Sequence, residues 1–321
     1  MLMITNIFKT LATCLYCNKH KSQTVSAVKR LRDEIVHTSC LCKEKTHKNK
    51  LTAVNAFEKF LTETQQQGAV LRMDDVTPFH IKAFEQWMVN KSYSLNYVRL
   101  HMRCLRALFN CINGSGKHLF KEVRTTNCQT EKRAVSEDVV KQLKDLPVSQ
   151  NSSVAMARNI FLFCFYCMGM PLIDAVRLKK IQLKDNCISY RRRKTNRLIT
   201  IPIGPELAEL LQQLPPSPNA YLLPIITADN TAQAYHQYIN FYQRYRRSLK
   251  ELSCMLSGNV HLTSYVARHT WASIVYHHGV SENVIARALG HSSTNTTRTY
   301  ITELCDTELA AANEIVTKAL M

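Results

Sequence analysis

The chain has 321 residues, enough for two ordinary domains that each bury a core. Hydrophobic residues make up 45% of it and charged residues 21%, a composition that excludes a disordered chain. Lys plus Arg outnumber Asp plus Glu by 42 to 24, a formal net charge of +18 that attracts polyanions, nucleic acid first and an anionic membrane surface second. The longest apolar run, Ile160 to Met170, falls short of the roughly 18 residues that cross a bilayer and reads as a buried helix.

Residues 1–47 form a basic N-terminal arm, with Asp33, Glu34 and Glu44 as its acids and no clear apolar period. The opening segment lacks a basic start, and Lys9 interrupts a weak apolar run, so export is not expected. Cys14-x-x-Cys17 is half of a zinc site, but Cys40-x-Cys42 is too tightly spaced for a standard second half. A loosely ordered arm is therefore favoured over a metal site, and no metal is expected. The twelve cysteines are scattered, several inside apolar helical patterns, which reads as reduced thiols in a cytoplasm.

From about 48 to 124 the pattern predicts a small helical bundle, the first domain. Leu51, Val54, Phe57, Phe60 and Leu61 recur at helical spacing. Thr77-Pro78 starts a second helix, with Ile81, Phe84, Trp87 and Met88 on one face. A third starts after Ser94, with Tyr97, Leu100, Cys104, Leu105 and Leu108 inward, and Asn113-Gly114 ends it. Its other face carries Arg99, Arg103 and Arg106, candidates for DNA contact. Residues 125–135 read as a linker, and 136–321 as a second, catalytic domain. That domain opens on a helix capped by Ser136 and continues with an apolar helix at 153–168. Two β-like segments follow, at 187–197 and 198–203, then helices at about 231–250, 264–278, 281–288 and 306–320. Arg244 and Arg247 of the basic helix, with Arg246 and Lys250, flank Tyr242 and Tyr245 as a DNA-backbone face.

Arg268, His291 and Tyr300 have the residue types for attack on a phosphodiester. Tyrosine is a weak nucleophile at neutral pH and needs a positive, hydrogen-bonding pocket. Arginine binds two phosphate oxygens with its planar fork, and a histidine can donate a third hydrogen bond. A departing 5′-oxygen needs a proton, which a lysine can give. This chemistry needs neither metal nor cofactor.

Leu262-Thr263-Ser264-Tyr265-Val266-Ala267-Arg268-His269-Thr270-Trp271, Leu289-Gly290-His291-Ser292 and Thr296-Thr297-Arg298-Thr299-Tyr300 resemble the tyrosine recombinase (phage integrase) family, in particular its Bacteroidetes-type integrases and invertases. The likeness extends upstream through Tyr190 to Thr195, Phe165 to Met170 and Thr130 to Ala134, over roughly residues 48–321. It implies a mainly α fold with a small β-sheet: a helical, SAM-like core-binding domain and a mixed α/β catalytic domain, closing as a clamp round a duplex. It implies site-specific DNA recombination through a 3′-phosphotyrosine, with outcomes of integration, excision or inversion. Tyr300 would be the nucleophile, Arg268 the second family arginine, His291 the second family histidine and Lys194 the general acid. Tyr265 stands where the family has its first histidine. The family's first arginine is missing: Met168 and Pro171 occupy the places where it would stand. Strand alternation puts Arg192 on the face of Lys194, where it could replace that arginine; Arg177 is a weaker substitute, and Arg191 and Arg193 read as backbone contacts of a basic hairpin. Without such a replacement the chain would be a catalytically impaired DNA-binding relative. The expected partner is double-stranded DNA bearing specific sites. The chain would be a monomer in solution and a homo-tetramer on DNA, with DNA-bending proteins as accessories, no membrane, and a place in the cytoplasm with the nucleoid. A type IB topoisomerase-like activity and a zinc-dependent transcription factor are the weaker alternatives.

Overall fold

A computed structural model describes residues 26–39, 44–64, 71–128, 133–149, 152–228, 231–291, 293–298 and 300. The candidate zinc residues Cys14, Cys17, His20, Cys40 and Cys42 and the predicted helix at 306–320 lie outside the described residues. The chain divides into two compact units, Met1–Gln129 and Thr130–Met321.

The first unit is helical. Helix α1 (Ala27–His37) is capped by the Ser26 hydroxyl, which accepts from the Lys29 backbone N–H at 3.2 Å. Helices α2 (Glu44–Thr64), α3 (Pro78–Asn90) and α4 (Leu95–Asn113) follow. The Thr77 and Ser94 starts and the Gly114 stop are where the sequence puts them, Gly114 taking a left-handed φ of 72° that ends the helix. Phe57, Phe84, Met102, Leu105 and Phe109 fill the core. One correction concerns residues 1–47, read as an arm without apolar period. Within them α1 buries Ala27, Leu31 and Ile35 in this core and packs on α2 and α4. Its three apolar positions recur every fourth residue, a one-turn spacing that the surrounding basic residues obscure.

A second correction concerns the face of α4. Tyr97 is on its exposed side, and Val98, Met102 and Phe109 point inward instead. Arg99 donates to the Thr126 carbonyl at 2.9 Å, and Arg103 to the Thr125 carbonyl and the Asn127 side chain, both at 2.7 Å. Two of the three arginines expected on a DNA face thus hold the segment 125–127 that folds back along their helix. Arg106 is half-buried.

The second unit is built round α6 (Glu137–Asp145) and α7 (Ser153–Tyr166), after a short α5 (Gly116–Leu119) in the first. Ser136 and Ser152 cap α6 and α7 through their hydroxyls. A four-residue α8 (Leu172–Ala175) leads to a three-stranded antiparallel sheet of β1 (Leu183–Lys184), β2 (Cys187–Arg191) and β3 (Leu198–Pro202), in that order. Ile188 pairs with Ile201 and Tyr190 with Ile199, and these four side chains share the buried face. Helices α9 (Pro205–Gln213), α10 (Thr231–Met255), α11 (Val266–His277), α12 (Glu282–Ala288) and α13 (Thr294–Arg298) complete the unit. Helices α10 and α11 both pack on α7, which explains its near-continuous apolar sequence. No helix among the described residues is long and apolar enough to cross a membrane.

Candidate active site

Arg268 lies in the first turn of α11 and is 2% exposed. Burying a guanidinium is costly unless acceptors replace its water. Its two terminal nitrogens find them: Nη1 donates to the Gly169 carbonyl at 2.8 Å, and Nη2 to the Leu289 carbonyl at 2.6 Å and to His291 Nε2 at 2.9 Å. Its Nε is buried without a hydrogen-bond partner. Gly169 makes this approach feasible. It has a φ of +65°, and a Cβ there would lie 2.8 Å from Arg268 Cα.

Arg192 is 3% exposed, beside Arg268, and burial together with the Arg192 charge lowers the Arg268 pKa. Its Nη1 donates to the Gly290 carbonyl at 2.9 Å, and its Nε is likewise buried without a partner. Gly290 has a φ of +63° and contacts the Arg192 side chain where a Cβ would crowd it. The alternation that buries Ile188 and Tyr190 continues one step to Arg192. It stops there, because strand β2 ends at Arg191 and the chain turns at 193–195. Lys194 is therefore exposed on the turn and does not share a face with Arg192, contrary to the sequence expectation. Its charge still helps to depress the His291 pKa. Arg191 folds back on the hairpin through the Asn196 carbonyl at 3.1 Å, and the Arg193 side chain is exposed.

His291 is 3% exposed, with Nδ1 2.9 Å from the Thr297 hydroxyl. Burial first, then Arg268, Arg192 and Lys194, pull its pKa down to about 3, so the imidazole is neutral at physiological pH. Tyr300 stands over this cluster. Its ring centroid is 5.0 Å from that of His291, and the Arg268 guanidinium carbon is 5.3 Å from it. The Tyr300 N–H donates to the Thr297 carbonyl at 2.8 Å, and Ser273 Oγ donates to the Tyr300 carbonyl at 3.2 Å. Tyr265 is 43% exposed with its ring 6.4 Å from that of Tyr300.

Three participants escaped sequence reasoning. His269, which the sequence shows only as the neighbour of Arg268, has its ring 4.6 Å from the Tyr300 ring and hydrogen-bonds the Tyr300 backbone. Asp174 is buried, accepts from the Arg193 N–H at 3.1 Å and faces both guanidiniums; burial raises its pKa, against the pull of Arg193, Arg192 and Arg268. Thr297 was legible only as one of several threonines before Tyr300. Arg177 lines a separate cleft of about 190 Å³ with Asp174, Tyr190 and Arg193, away from Arg268. Met168, half-buried with a φ of 54°, and Pro171, which caps α8, supply no charge.

A larger cleft of about 770 Å³ runs up to Tyr265 and His269, with Arg133, Arg246, Arg247 and Lys250 along it. Arg244 is exposed on the same helix but does not line the cleft. Tyr245, expected on this basic face, is instead 3% exposed in the core, stacked on Phe241 at 5.7 Å. Helix α10 turns that position toward α7, and only Tyr242 of the pair remains at the cleft. Among the described residues no group of three or more His, Cys, Asp or Glu could hold a metal ion.

An arginine, a histidine and a tyrosine thus meet, with a second buried arginine beside them. The phage integrase family model matches residues 133–305, and the phage integrase SAM-like domain model matches residues 25–111. The chain belongs to the phage integrase family. Members of this family are tyrosine site-specific DNA recombinases. Solved structures with the same fold include the Tn1549 transposon integrase in complex with a circular intermediate DNA, 16% identical, covering 90% of this chain and 99% of that one, with a TM-score of 0.62. A lambda integrase tetramer bound to a Holliday junction is 14% identical and covers 94% of this chain and 88% of that one, also with a TM-score of 0.62. No curated protein matches the sequence. The SAM-like match begins at residue 25, in keeping with the place of α1 in the first core.

Proposed function

We propose that this integrase cuts and rejoins DNA at specific sites with Tyr300 as nucleophile and a paired Arg268–Arg192 clamp on the scissile phosphate. One observation carries the reading: two buried guanidiniums lie side by side, each oriented by a carbonyl and each with an unpartnered buried Nε. Asp174 offsets one of the two charges. A phosphate would supply the missing negative charge and the missing acceptors at once. Arg192 in this role answers the absence of arginine at Met168 and Pro171.

In the proposed reaction the Tyr300 hydroxyl gives its proton to solvent as its oxygen attacks phosphorus, and the bond to the 5′-oxygen breaks. A 3′-phosphotyrosine forms, and the departing 5′-oxygen takes a proton from Lys194 on the β2–β3 turn. Arg268, Arg192 and His291 hold the non-bridging oxygens, where charge builds in the transition state. Attack by a free 5′-hydroxyl reverses the step, so the phosphotyrosine conserves the bond energy. Tyr265 lies beside Tyr300 and supplies a hydroxyl where a histidine would stand. Arg133, Arg244, Arg246, Arg247 and Lys250 would carry flanking backbone, and Arg106, Arg191 and Arg193 further phosphates. Solved relatives include a DNA-bound dimer and a DNA-bound tetramer, which supports assembly of this chain on DNA as a homo-tetramer. Such a substrate places it with the nucleoid.

The test is incubation with a nicked suicide site followed by denaturing electrophoresis. The parent chain gives a covalent protein–DNA band, and Tyr300→Phe gives none. Arg192→Ala cuts about 10²- to 10³-fold more slowly, as expected for loss of one oxyanion donor. Equal cutting by Arg192→Ala sinks the paired clamp. Specific binding without any covalent band from the parent chain would identify an impaired DNA-binding relative.

A further inference from the structure

The Thr297 hydroxyl is fully buried and lies 2.9 Å from His291 Nδ1. On the other side of the ring, His291 Nε2 is 2.9 Å from Arg268 Nη2. A guanidinium has only donors, so Nε2 must accept and the ring proton must sit on Nδ1, pointing at Thr297. In that form His291 has no proton to offer at Nε2, where a phosphate oxygen would arrive. Donation to phosphate requires the other neutral tautomer, since an imidazolium would be buried beside two guanidiniums. The ring would then release its Nδ1 proton to solvent water and take one from water at Nε2, staying neutral throughout. Nδ1 would become an acceptor and would need a donor in the same place.

We infer that Thr297 is the positioning residue for His291, its hydroxyl accepting from Nδ1 in the DNA-free protein and donating to Nδ1 when Nε2 serves the phosphate. A hydroxyl can do both by rotating its own proton; a methyl group can do neither. The same residue accepts the Tyr300 N–H through its carbonyl at 2.8 Å. One side chain and its backbone therefore couple the orientation of the histidine to that of the nucleophile, three residues apart on one short helical turn. This rests on the reading of His291 as a phosphate ligand.

The experiment uses the full chain with Thr297→Val and Thr297→Ser. Valine keeps the volume and removes the hydroxyl; serine keeps the hydroxyl. In nitrogen-15 histidine spectra of the DNA-free protein, the parent and Thr297→Ser should show the His291 proton on Nδ1. Thr297→Val should keep the proton on Nδ1, where Arg268 holds it, but lose its hydrogen bond, which shifts the Nδ1 and Nδ1–H resonances away from those of the parent. Single-turnover cutting of the suicide site should fall roughly ten- to a hundredfold in Thr297→Val, as for a buried polar group left unpaired. It should be restored in Thr297→Ser, with DNA affinity unchanged in both. Parent-like cutting by Thr297→Val, or equal loss in both variants, overturns the inference. If the parent does not cut at all, the reading of the site fails separately. The spectra then decide: Nδ1 and Nδ1–H resonances in Thr297→Val identical to those of the parent overturn the role of Thr297, and a shift that Thr297→Ser does not show upholds it.

Discussion

Arg192 and Arg268 are held by main-chain carbonyls, and two of those carbonyls belong to glycines with positive φ, Gly290 and Gly169. The glycines do more than turn the chain. A Cβ at Gly290 would stand 2.8 Å from Ile199 Cδ1 and 3.1 Å from Arg192 Cδ. Gly290→Ala should therefore cost about 1–3 kcal/mol in stability from the left-handed backbone alone. It should also slow cutting by displacing Arg192, which urea unfolding and the suicide assay would measure together. His291 gives a second prediction at this scale. Its folded pKa of about 3 lies below the ordinary 6.5, so between these values the unfolded chain binds more protons. Stability should fall as pH drops from about 6.5 toward about 3, and His291→Asn should flatten that slope in thermal melts across the window. A slope unchanged by the substitution would remove His291 as its source. Arg268, His291 and Tyr300 were legible from residue type and spacing. Thr297, Asp174 and His269 were not, because their parts depend on neighbours far along the chain or on which way a ring turns.

At the scale of elements, local chemistry and packing divide the work. Thr77-Pro78, Ser94, Gly114 and Ser136 marked helix ends in the sequence, because a cap is a bond between residues three or four apart. The inward face of α4 was less legible. Tyr97 and Val98 are adjacent, and only packing on α1 and α2 decides that Val98 is buried. Helix α1 was missed altogether, since its three buried residues lie among lysines, arginines and acids. Leu31→Ala should destabilise the first unit by about 2–5 kcal/mol in urea unfolding, the range for a fully buried leucine. A loss below about 0.5 kcal/mol, the range of an exposed site, would return α1 to the status of a loose arm. The β2–β3 hairpin shows the opposite balance. Alternation correctly carried Arg192 inward, then failed for Lys194 because the strand had already ended.

Across the whole molecule, the +18 charge is the feature that acts at long range. Each phosphate neutralised releases counterions, so DNA affinity should fall steeply and linearly in log–log form with salt. Replacing Arg246 and Arg247 together by alanine should reduce that slope by about 2 while leaving Tyr300 chemistry intact on saturating DNA. An unchanged slope would show that the cleft beside Tyr265 does not carry backbone. The sequence by itself determined the two-unit plan, the basic character and the presence of the Arg–His–Tyr set. These rest on composition, short-range periodicity and side-chain identity, which need no third dimension. Only the tertiary structure decided what stands next to Arg268. Residues 169, 192, 268 and the stretch 289–291 are far apart in the chain and meet through a buried hydrogen-bond network. There Gly169, Leu289 and Gly290 set two guanidiniums in one orientation with their Nε donors left over. No spacing rule encodes that arrangement, because it is fixed by which carbonyls replace water round a buried charge.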